Sequence, residues 1–215
     1  MFGTTSLPLF VVSGLLLNFT PGPDTLYILG RTATHRFKGG ALAALGIGAG
    51  TLVHTFAAAA GLSALLAASA TAFTAVKWIG AAYLAYVGIT MLMTRTVKPV
   101  AAESRASPLP QEAAQASLRQ VFVQGFLTNV LNPKVALFFL AFLPQFVDPH
   151  APSKALAFVF LGIVFNVNGT LWNLLVAWSA AHIANRIASG GRSIAVWLNR
   201  AIGALFVYLG IRLAT

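Results

Sequence analysis

The sequence predicts an all-α integral membrane protein in which six transmembrane helices form two inverted three-helix repeats. Of its 215 residues, 58% are hydrophobic and only 8% are charged, whereas a soluble domain has roughly 45–50% apolar and 25% charged residues. Fourteen basic and four acidic side chains can hardly supply the polar surface that a soluble globule of this length needs. Composition, the lengths of the apolar segments and an internal repeat together carry this prediction.

Six apolar segments are each long enough to cross a bilayer, which takes about 17–25 residues, or more when a helix is tilted. The spans are predicted near residues 7–29, 40–66, 71–93, 120–146, 155–181 and 194–213. The first segment lacks the basic n-region and the small-residue cleavage site of a secretory signal, so we expect it to be a span of the mature protein.

A polar linker is predicted over residues 95–118, a stretch that contains three prolines and has the composition of a flexible connection. The linker divides the chain into a first three-helix repeat, residues 1–94, and a second, residues 119–215.

The two halves resemble each other at three places that occur in the same order. The matching pairs are GLLLN (Gly14–Asn18) with GFLTN (Gly125–Asn129), ALAALG with LAFVFLG (ending at Gly46 and Gly162), and KWIGAAYLAYVGI (Lys77–Ile89) with RAIGALFVYLGI (Arg200–Ile211). Because three spans is an odd number, a second repeat that follows the first must lie in the bilayer with opposite orientation. Such inverted repeats are typical of transporters, whose sites lie near the midplane where the repeats meet.

Lysine and arginine residues predict how the chain is oriented. Nine lie in the loops after the first, third and fifth spans: Arg31, Arg36, Lys38, Arg95, Lys98, Arg105, Arg119, Arg186 and Arg192. The opposite side, which includes both termini, carries three: Lys77, Lys154 and Arg212. By the positive-inside rule the first set, and the linker with it, is cytoplasmic and both termini are outside.

The stretch NFTPGPDTLYIL, Asn18–Leu29, places helix-breaking residues inside the first span. Pro21 and Pro23 each remove a backbone donor, and Gly22 permits dihedral angles that other residues rarely adopt. Non-helical backbone at membrane depth survives only where it is buried in protein or lines a cavity. We therefore predict a break, after which Thr20 caps a half-helix that opens at Pro23.

The fourth span carries a second break at the corresponding place in the second half. Asn132 is predicted to cap a half-helix that opens at Pro133. Each repeat would then present a half-helix N-terminus inside the membrane, where free N–H groups and the helix dipole favour an anion such as a carboxylate. Asp24 and Lys134 lie in the first turns of these half-helices, where the dipole favours the carboxylate and disfavours the ammonium.

Ionisable side chains at the centre of a membrane helix cost about 2.5–3.5 kcal/mol and usually mark a pathway or pair with one another. We expect Asp24 and Lys134 to pair when no other molecule is bound. His54, midway along the second span, can relay protons because its charge changes near neutral pH. A hydrogen-bonded interior position is the commoner explanation for a lone histidine.

Small and polar residues of the second and fifth spans have competing explanations. The fifth span carries three asparagines and an adjacent tryptophan, Asn166, Asn168, Asn173 and Trp172. These amides either line a cavity or bond neighbouring helices to each other, which is the commoner role. The second span carries three alternating glycines, Gly46, Gly48 and Gly50. They indicate a close helix-packing face and not a phosphate loop, since no strand precedes them.

Other classes of function lack the residues that they need. The basic residues lie between apolar segments and not on one face, which argues against nucleic-acid binding. The chain has no cysteine and only four acidic residues, which leaves little for a metal site. No HExxH or GxSxG motif is present, so we expect neither an enzyme nor a cofactor. A membrane-embedded enzyme, a cation or small-metabolite exporter and a non-transporting scaffold remain the alternatives.

These motifs are similar to those of the LysE/RhtB superfamily of amino-acid exporters, with the threonine/homoserine-type branch closest. The resemblance spans nearly the whole chain and rests on NFTPGPDTLYIL, RTATHRFKGG, GIGAGTLVHT, KWIGAAYLAYVGI and QGFLTNVLNPKVALFFLAFLPQFV. It implies six helices in a bacterial inner membrane and export of amino acids or their derivatives, driven by the proton gradient. The TPGP element falls on Thr20–Pro23 and the NPK element on Asn132–Lys134. The position after TPGP, often Asn in relatives, is Asp24 here.

The resulting hypothesis is a secondary exporter that binds a zwitterionic amino acid between the two breaks. The predicted substrate-binding residues are Asn18, Thr20, Pro21, Gly22, Pro23, Asp24, Asn129, Asn132, Pro133 and Lys134. The half-helix N-termini and Lys134 would hold the α-carboxylate, while Asp24, helped by Asn18 and Asn129, would receive the α-ammonium. Protonation of Asp24 from outside would release the substrate, with His54 as the other candidate proton carrier. Expected partners are the amino acid, protons and membrane lipid, with no metal or cofactor, and the sequence leaves a homo-oligomer open.

Overall fold

The structure is a computed structural model whose described residues are 2–69, 116–148 and 150–183, together with positions 71, 75, 78, 82, 86, 89 and 93. Every named element in this part of the chain is helical. The elements are α1 (Leu7–Phe19), α2 (Pro23–Ala68), α3 (Leu118–Val130), α4 (Pro133–Ala141), a 3-10 turn (Leu143–Phe146) and α5 (Lys154–Ile183). The predicted all-α class is confirmed for these residues.

Helix α2 is divided in two by a kink at His35 and Arg36, where φ of Arg36 is 53° and ψ is −154°. Its 46 residues would make a straight helix about 69 Å long, roughly twice the hydrocarbon core of a bilayer. The kink separates residues 23–34 from residues 37–68. The predicted first and second spans, near 7–29 and 40–66, thus extend further than expected and meet at this kink.

Length and composition allow Pro23–Leu65 and Lys154–His182 to cross a membrane. Leu118–Val130 and Pro133–Phe146 are bent by 47° at their junction and pass the same test as a pair. This bend confirms the predicted break in the fourth span, and the fifth span agrees with α5 within two residues at each end.

The first and fourth spans run antiparallel along their whole length. At one end an isolated β-bridge joins Thr4 to Val147, and the Thr5 N–H donates to the Phe146 carbonyl at 2.9 Å. At the other end His35 Nε2 lies 3.0 Å from the Ala116 carbonyl oxygen. Opposite chain directions of these two spans are what an inverted repeat requires.

Glycines let α2 and α3 approach closely, as the sequence predicted. A Cβ on Gly46 would overlap the Phe122 carbonyl, and one on Gly50 would lie 2.7 Å from the Phe126 carbonyl oxygen. Gly48 lies on another side of α2, where a Cβ would be 2.7 Å from Thr170 Oγ1 of α5. The three alternating glycines therefore contact two different helices.

Two hydrophobic clusters lie at opposite ends of the bundle, with a polar layer between them. The larger is rich in phenylalanine and includes Phe10, Phe138, Phe139, Phe142, Phe146 and Phe158. The smaller consists mainly of small and aliphatic residues, Ile28, Ala43, Ala44, Ile47, Val121 and Ala177. The polar layer contains both helix breaks, so the breaks lie inside the protein and between the two hydrophobic clusters.

The third and sixth spans, most of the linker and the repeat pair at Lys77–Ile89 and Arg200–Ile211 lie outside the described residues, apart from the seven isolated positions. Those seven positions of the third span are helical and exposed.

Candidate functional site

The first break separates α1 from α2 by three residues. Thr20 ends α1 as its C-cap residue, with φ −72° and ψ 115°, and its hydroxyl donates to the Leu16 carbonyl at 3.1 Å. Helix α2 opens at Pro23 with Gly22 as its N-cap residue and no capping side chain. The prediction that Thr20 is an N-cap was therefore wrong. Gly22 does not use the unusual dihedral angles that a glycine permits, since its φ of −157° and ψ of −172° are extended angles open to any residue.

The second break follows the sequence prediction closely. Asn132 is the N-cap residue of α4, and its side-chain oxygen accepts from the Lys134 N–H at 3.0 Å. Pro133 opens the helix, where its missing N–H is not needed. The Asn132 side chain is nearly fully buried, so this cap satisfies a donor that water does not reach.

The Lys134 ammonium bridges the two breaks. Its Nζ donates to the carbonyls of Leu17 at 2.9 Å and Thr20 at 2.8 Å, at the C-terminal end of α1. Carbonyls at a helix end have no partner within the helix, and the negative end of the helix dipole favours a cation. The dipole of α4 disfavours the Lys134 ammonium at its N-terminus, but the negative C-terminal end of α1 stabilises it.

Asp24 makes the corresponding contact to the second half of the chain. Its Oδ2 accepts from Asn129 Nδ2 at 2.8 Å, and Asn129 Oδ1 in turn accepts from the Thr51 hydroxyl at 3.2 Å. No ion pair joins Asp24 to Lys134 in the part of the chain that the structure describes, so the expected pairing was wrong. Each charge instead contacts the end of the helix that precedes the break in the other half.

A cavity lies between the breaks, with walls from all five helices. Seven of the ten predicted binding residues line it: Asn18, Thr20, Gly22, Asp24, Asn129, Asn132 and Lys134. Pro21, Pro23 and Pro133 do not line it, and they act through the backbone. Among the other lining residues, the sequence analysis had assigned Gly48 to helix packing alone and had not singled out Leu17, Thr25, Ile47, Thr51, Val135, Phe165, Gly169 and Thr170.

The cavity is small in this conformation. The space open to the centre of a water-sized sphere is about 30 Å³, and a single water needs about 10–15 Å³ by this measure. In this conformation the space between the breaks thus has room for very few waters, which is less than an organic molecule needs.

Two polar atoms of opposite character are buried at this site without a hydrogen-bond partner among the described residues. They are the donor Asn18 Nδ2 and the acceptor Asp24 Oδ1. The Asn132 side chain lies close enough to interact with the Asp24 carboxylate. Burying an unpaired polar group costs about 1–3 kcal/mol, and more for a charged group. The site thus presents an unused acceptor with negative charge and an unused amide donor, which together suit a ligand carrying both an ammonium and a carboxylate.

The fifth span forms a polar wall of the cavity. Asn166 and Asn173 line it, as one of the two explanations of these amides predicted, whereas Asn168 does not. Trp172 packs its ring against Phe19, with ring centroids 4.3 Å apart. The sequence signal for this wall is the helical spacing of its polar residues, Asn166, Thr170 and Asn173.

His54 lies behind the cavity wall and does not line it. Its Nε2 is 3.0 Å from the Asn129 carbonyl oxygen, which can only accept, so Nε2 bears a proton. Its ring packs on Phe139, with centroids 5.8 Å apart. His54 thus reaches Asp24 only through Asn129, a hydrogen-bonded interior position of the kind that the sequence favoured.

A polar contact between the first and fourth spans lies toward the His35 end. The Tyr27 hydroxyl donates to the Val121 carbonyl at 2.8 Å, and Arg31 donates to Gln124 Oε1 at 2.5 Å. Tyr27 also lies 3.2 Å from the same Gln124 oxygen. These residues, which the sequence prediction did not include, hold the two spans together on that side of the cavity.

Broken apolar helices around a polar cavity are typical of membrane translocators. The family model described as LysE type translocator matches residues 15–215, and this chain belongs to that family. The resemblance to the LysE/RhtB superfamily is thereby confirmed, and the protein is a transporter and not an enzyme.

Several full-length relatives support the assignment. An uncharacterised membrane protein of Pseudomonas aeruginosa is 32% identical, with 99% of this chain and 96% of the relative covered. The leucine efflux proteins of Salmonella typhimurium and Klebsiella pneumoniae are 30% and 29% identical, each with 100% of this chain and 97% of the relative covered. No solved structure matches significantly.

In the residues that the structure describes, no group of three or more His, Cys, Asp or Glu side chains could hold a metal ion.

Proposed function

We propose that this translocator exports amino acids or their derivatives from the cytoplasm across a bacterial inner membrane, in exchange for protons. Relatives that cover the whole chain are named leucine efflux proteins, which supports an amino-acid substrate. The buried pair of unused polar atoms, Asp24 Oδ1 and Asn18 Nδ2, is the observation that carries the proposal.

A zwitterionic amino acid complements these two atoms. Its α-ammonium pairs with Asp24 Oδ1, the one carboxylate among the cavity-lining residues that the structure describes. Its α-carboxylate accepts from Asn18 Nδ2 and lies near Lys134, whose ammonium has three N–H groups and uses two of them on main-chain carbonyls. The apolar side of the cavity, formed by Leu17, Ile47, Val135 and Phe165, then faces the substrate side chain.

The inverted three-helix repeat, with halves 1–94 and 119–215, accounts for how such a site opens alternately to the two sides. The first and fourth spans are antiparallel, and Asp24 and Lys134 occupy matching places after the proline of each break. Each contacts the end of the preceding helix of the other half, which is a reciprocal arrangement. Rocking of one repeat against the other around this fixed centre provides alternating access.

The distribution of charge supports cytoplasmic placement of the His35 end. Arg31, Arg36, Lys38 and Arg119 all lie toward that end of the described helices, while Lys154 begins α5 at the opposite end. By the positive-inside rule both termini are then outside. The contact of Tyr27 and Arg31 with Gln124 is on this assignment the cytoplasmic closure of the site.

Asp24 is positioned to couple the site to protons, and His54 is the second candidate. A neutral Asp24 no longer attracts the substrate ammonium, so its protonation from outside favours release. His54 can contribute because it contacts Asn129, which also holds the second oxygen of Asp24.

The experiment is leucine efflux from vesicles that contain purified protein and carry an imposed pH gradient, followed by a scan of other amino acids. Asp24→Asn keeps the shape of the side chain and an oxygen for Asn129, but removes the charge that holds the ammonium. We expect efflux to fall at least about tenfold, because a hydrogen bond to a charged group contributes about 1.5–3 kcal/mol.

Asp148→Asn is the matched control. Asp148 lies outside the cavity, where its Oδ1 accepts from the His150 N–H at 2.8 Å, a contact that an amide oxygen can keep. Its efflux should stay at the wild-type level. Normal efflux by Asp24→Asn would refute the site, and efflux that ignores the pH gradient would refute proton exchange.

A further inference from the structure

The Asn129 side chain is hydrogen-bonded on both of its amide atoms. Its Nδ2 donates to Asp24 Oδ2 at 2.8 Å, and its Oδ1 accepts from the Thr51 hydroxyl at 3.2 Å. The main-chain carbonyl of the same residue accepts from the Asn132 N–H at 2.9 Å and from His54 Nε2 at 3.0 Å. Asn129 and Thr51 are both buried, so the amide depends on these protein partners and not on bulk water.

The charge of Asp24 sets the direction of this hydrogen-bond chain. An ionised carboxylate can only accept, so the amide nitrogen faces Asp24 and the amide oxygen faces Thr51. A hydroxyl has one proton to donate, and in this arrangement Thr51 donates it to Asn129. Every donor in the chain from Thr51 through Asn129 thus points toward the negative charge on Asp24.

The Thr51 hydroxyl has a second acceptor within reach, which allows the chain to reverse. The Ile47 carbonyl oxygen lies 3.2 Å from Thr51 Oγ1, the same distance as Asn129 Oδ1. When Asp24 carries a proton on Oδ2, its O–H can donate to the amide oxygen of Asn129 once the amide has turned over about its Cβ–Cγ bond. The amide nitrogen then donates to Thr51 Oγ1, and the hydroxyl donates to Ile47. Each link of the chain therefore has a partner in both directions.

We propose that Thr51 is a positioning residue for the Asp24 carboxylate: its hydroxyl, acting through Asn129, holds Asp24 in the ionised form that binds the substrate ammonium, and the chain reverses when a proton binds. The proposal rests on the proposed function, and it deepens it by identifying how the site responds to the coupling proton. That proton passes from the outer solution to Asp24 Oδ2 and stays there, and no other group of the chain gains or loses one. The neutral Asp24 then releases the substrate ammonium.

Only the ionised arrangement of the chain ends on a charge. Hydrogen bonds to an ionised acceptor are roughly twice as strong as those between neutral groups, and the bonds of a chain polarise one another. The Thr51 hydroxyl therefore stabilises the ionised form of Asp24 more than the protonated form. Loss of this hydroxyl should favour the protonated form, so that a lower proton concentration is enough to weaken substrate binding.

Two other charged or titratable groups face Asp24 in the part of the chain that the structure describes. Lys134 of α4 lines the same cavity, and His54 of α2 contacts the main chain of Asn129. The described lining residues of α1, α3 and α5 are all uncharged. A substitution of Thr51 leaves Lys134 and His54 in place, so a change in pH dependence reports on the chain itself.

The experiment measures leucine binding to purified protein in detergent by calorimetry, at a series of pH values from neutral to acidic. Thr51→Val removes the hydroxyl and keeps a branched side chain. We expect its leucine affinity at neutral pH to fall about tenfold, the effect of leaving one buried amide atom without a partner. The pH at which affinity is half its maximum should move upward. Thr51→Ser, which restores the hydroxyl, should return both quantities toward the wild-type values.

Thr55→Val is the matched control. Thr55 is buried on the same helix one turn later, its hydroxyl donates to the Thr51 carbonyl at 3.0 Å, and it is not among the residues that line the cavity. This variant should bind leucine as the wild type does, with the same pH midpoint. If Thr51→Val does not elute as a monodisperse protein, Thr51→Ala takes its place, since it removes the hydroxyl without adding bulk.

The pH midpoint separates positioning from mere packing or direct contact with leucine. A Thr51→Val variant that binds leucine less tightly by the same factor at every pH, or as tightly as the wild type, would overturn the proposal. A Thr51→Ser variant that behaves like Thr51→Val would do so as well. Wild-type protein that binds neither leucine nor any other amino acid would instead overturn the proposed function, and wild-type binding that ignores pH would overturn proton exchange at Asp24.

Discussion

Replacing Gly50 by alanine tests how the close packing of α2 on α3 positions the site. A Cβ at this position would lie 2.7 Å from the Phe126 carbonyl oxygen and 2.8 Å from Asn129 Cβ. Ordinary van der Waals contact begins near 3.4 Å, so the two helices must separate by about 0.7 Å here. The nearest obstacle is backbone, which cannot turn aside as a flexible side chain can.

The energetic consequence combines two opposing effects. Overpacking of a close contact costs about 1–3 kcal/mol, while alanine in place of glycine stabilises a helix by about 1 kcal/mol. We therefore expect a net loss of up to about 2 kcal/mol. Because Asn129 moves with α3, its bonds to Asp24 at 2.8 Å and to Thr51 at 3.2 Å lengthen, and the carboxylate loses its fixed position.

Thermal unfolding in detergent and leucine efflux from vesicles measure the two effects. Gly61→Ala is the matched control, because Gly61 belongs to the same helix and nothing lies within 4 Å of an added Cβ. This control should unfold at the wild-type temperature or slightly above it and transport normally, whereas Gly50→Ala should unfold earlier and transport less. Equal stability and equal efflux for the two variants would refute the packing account.

Substitutions at two further positions test the breaks themselves. Gly22→Ala should leave unfolding temperature and efflux close to wild type, because the backbone angles suit any residue and the new Cβ would lie 3.7 Å from Lys134 Nζ; a large loss of stability would contradict this. Asn132→Ala should lower stability by about 1 kcal/mol, the usual effect of removing an N-cap, whereas Asn132→Ser, which can still accept from the Lys134 N–H, should recover most of it in the same unfolding assay.

The sequence predicted the breaks because proline acts locally. A proline inside an apolar run removes a backbone donor whatever surrounds it. Pro23 and Pro133 therefore predicted helix starts, which the structure confirms. Asn132 as a cap was equally predictable, since an N-cap bonds within its own first turn. The same local reasoning gave the wrong result for Thr20, which was predicted to be an N-cap. Its hydroxyl donates backward to the Leu16 carbonyl, so Thr20 ends the preceding helix.

Polar contacts between distant segments were harder to predict. The expectation that Asp24 and Lys134 pair followed from their charges alone, and it overlooked that main-chain carbonyls at a helix end compete for the ammonium. The contact of Tyr27 with Val121 near the His35 end left no pattern in the sequence, because its acceptor is a backbone carbonyl that every residue has.

The class of protein was readable from local composition and motifs, which carry the apolar segments, the proline breaks and the family. The atoms that face one another across the breaks depend on how the helices pack. The tertiary structure placed Lys134 on the end of α1 and Asp24 on Asn129, and it left Asp24 Oδ1 and Asn18 Nδ2 unpaired in a closed cavity. The physical reason is that helix breaks are set by each residue's own backbone, whereas the partner of a buried charge is set by how two antiparallel spans pack together.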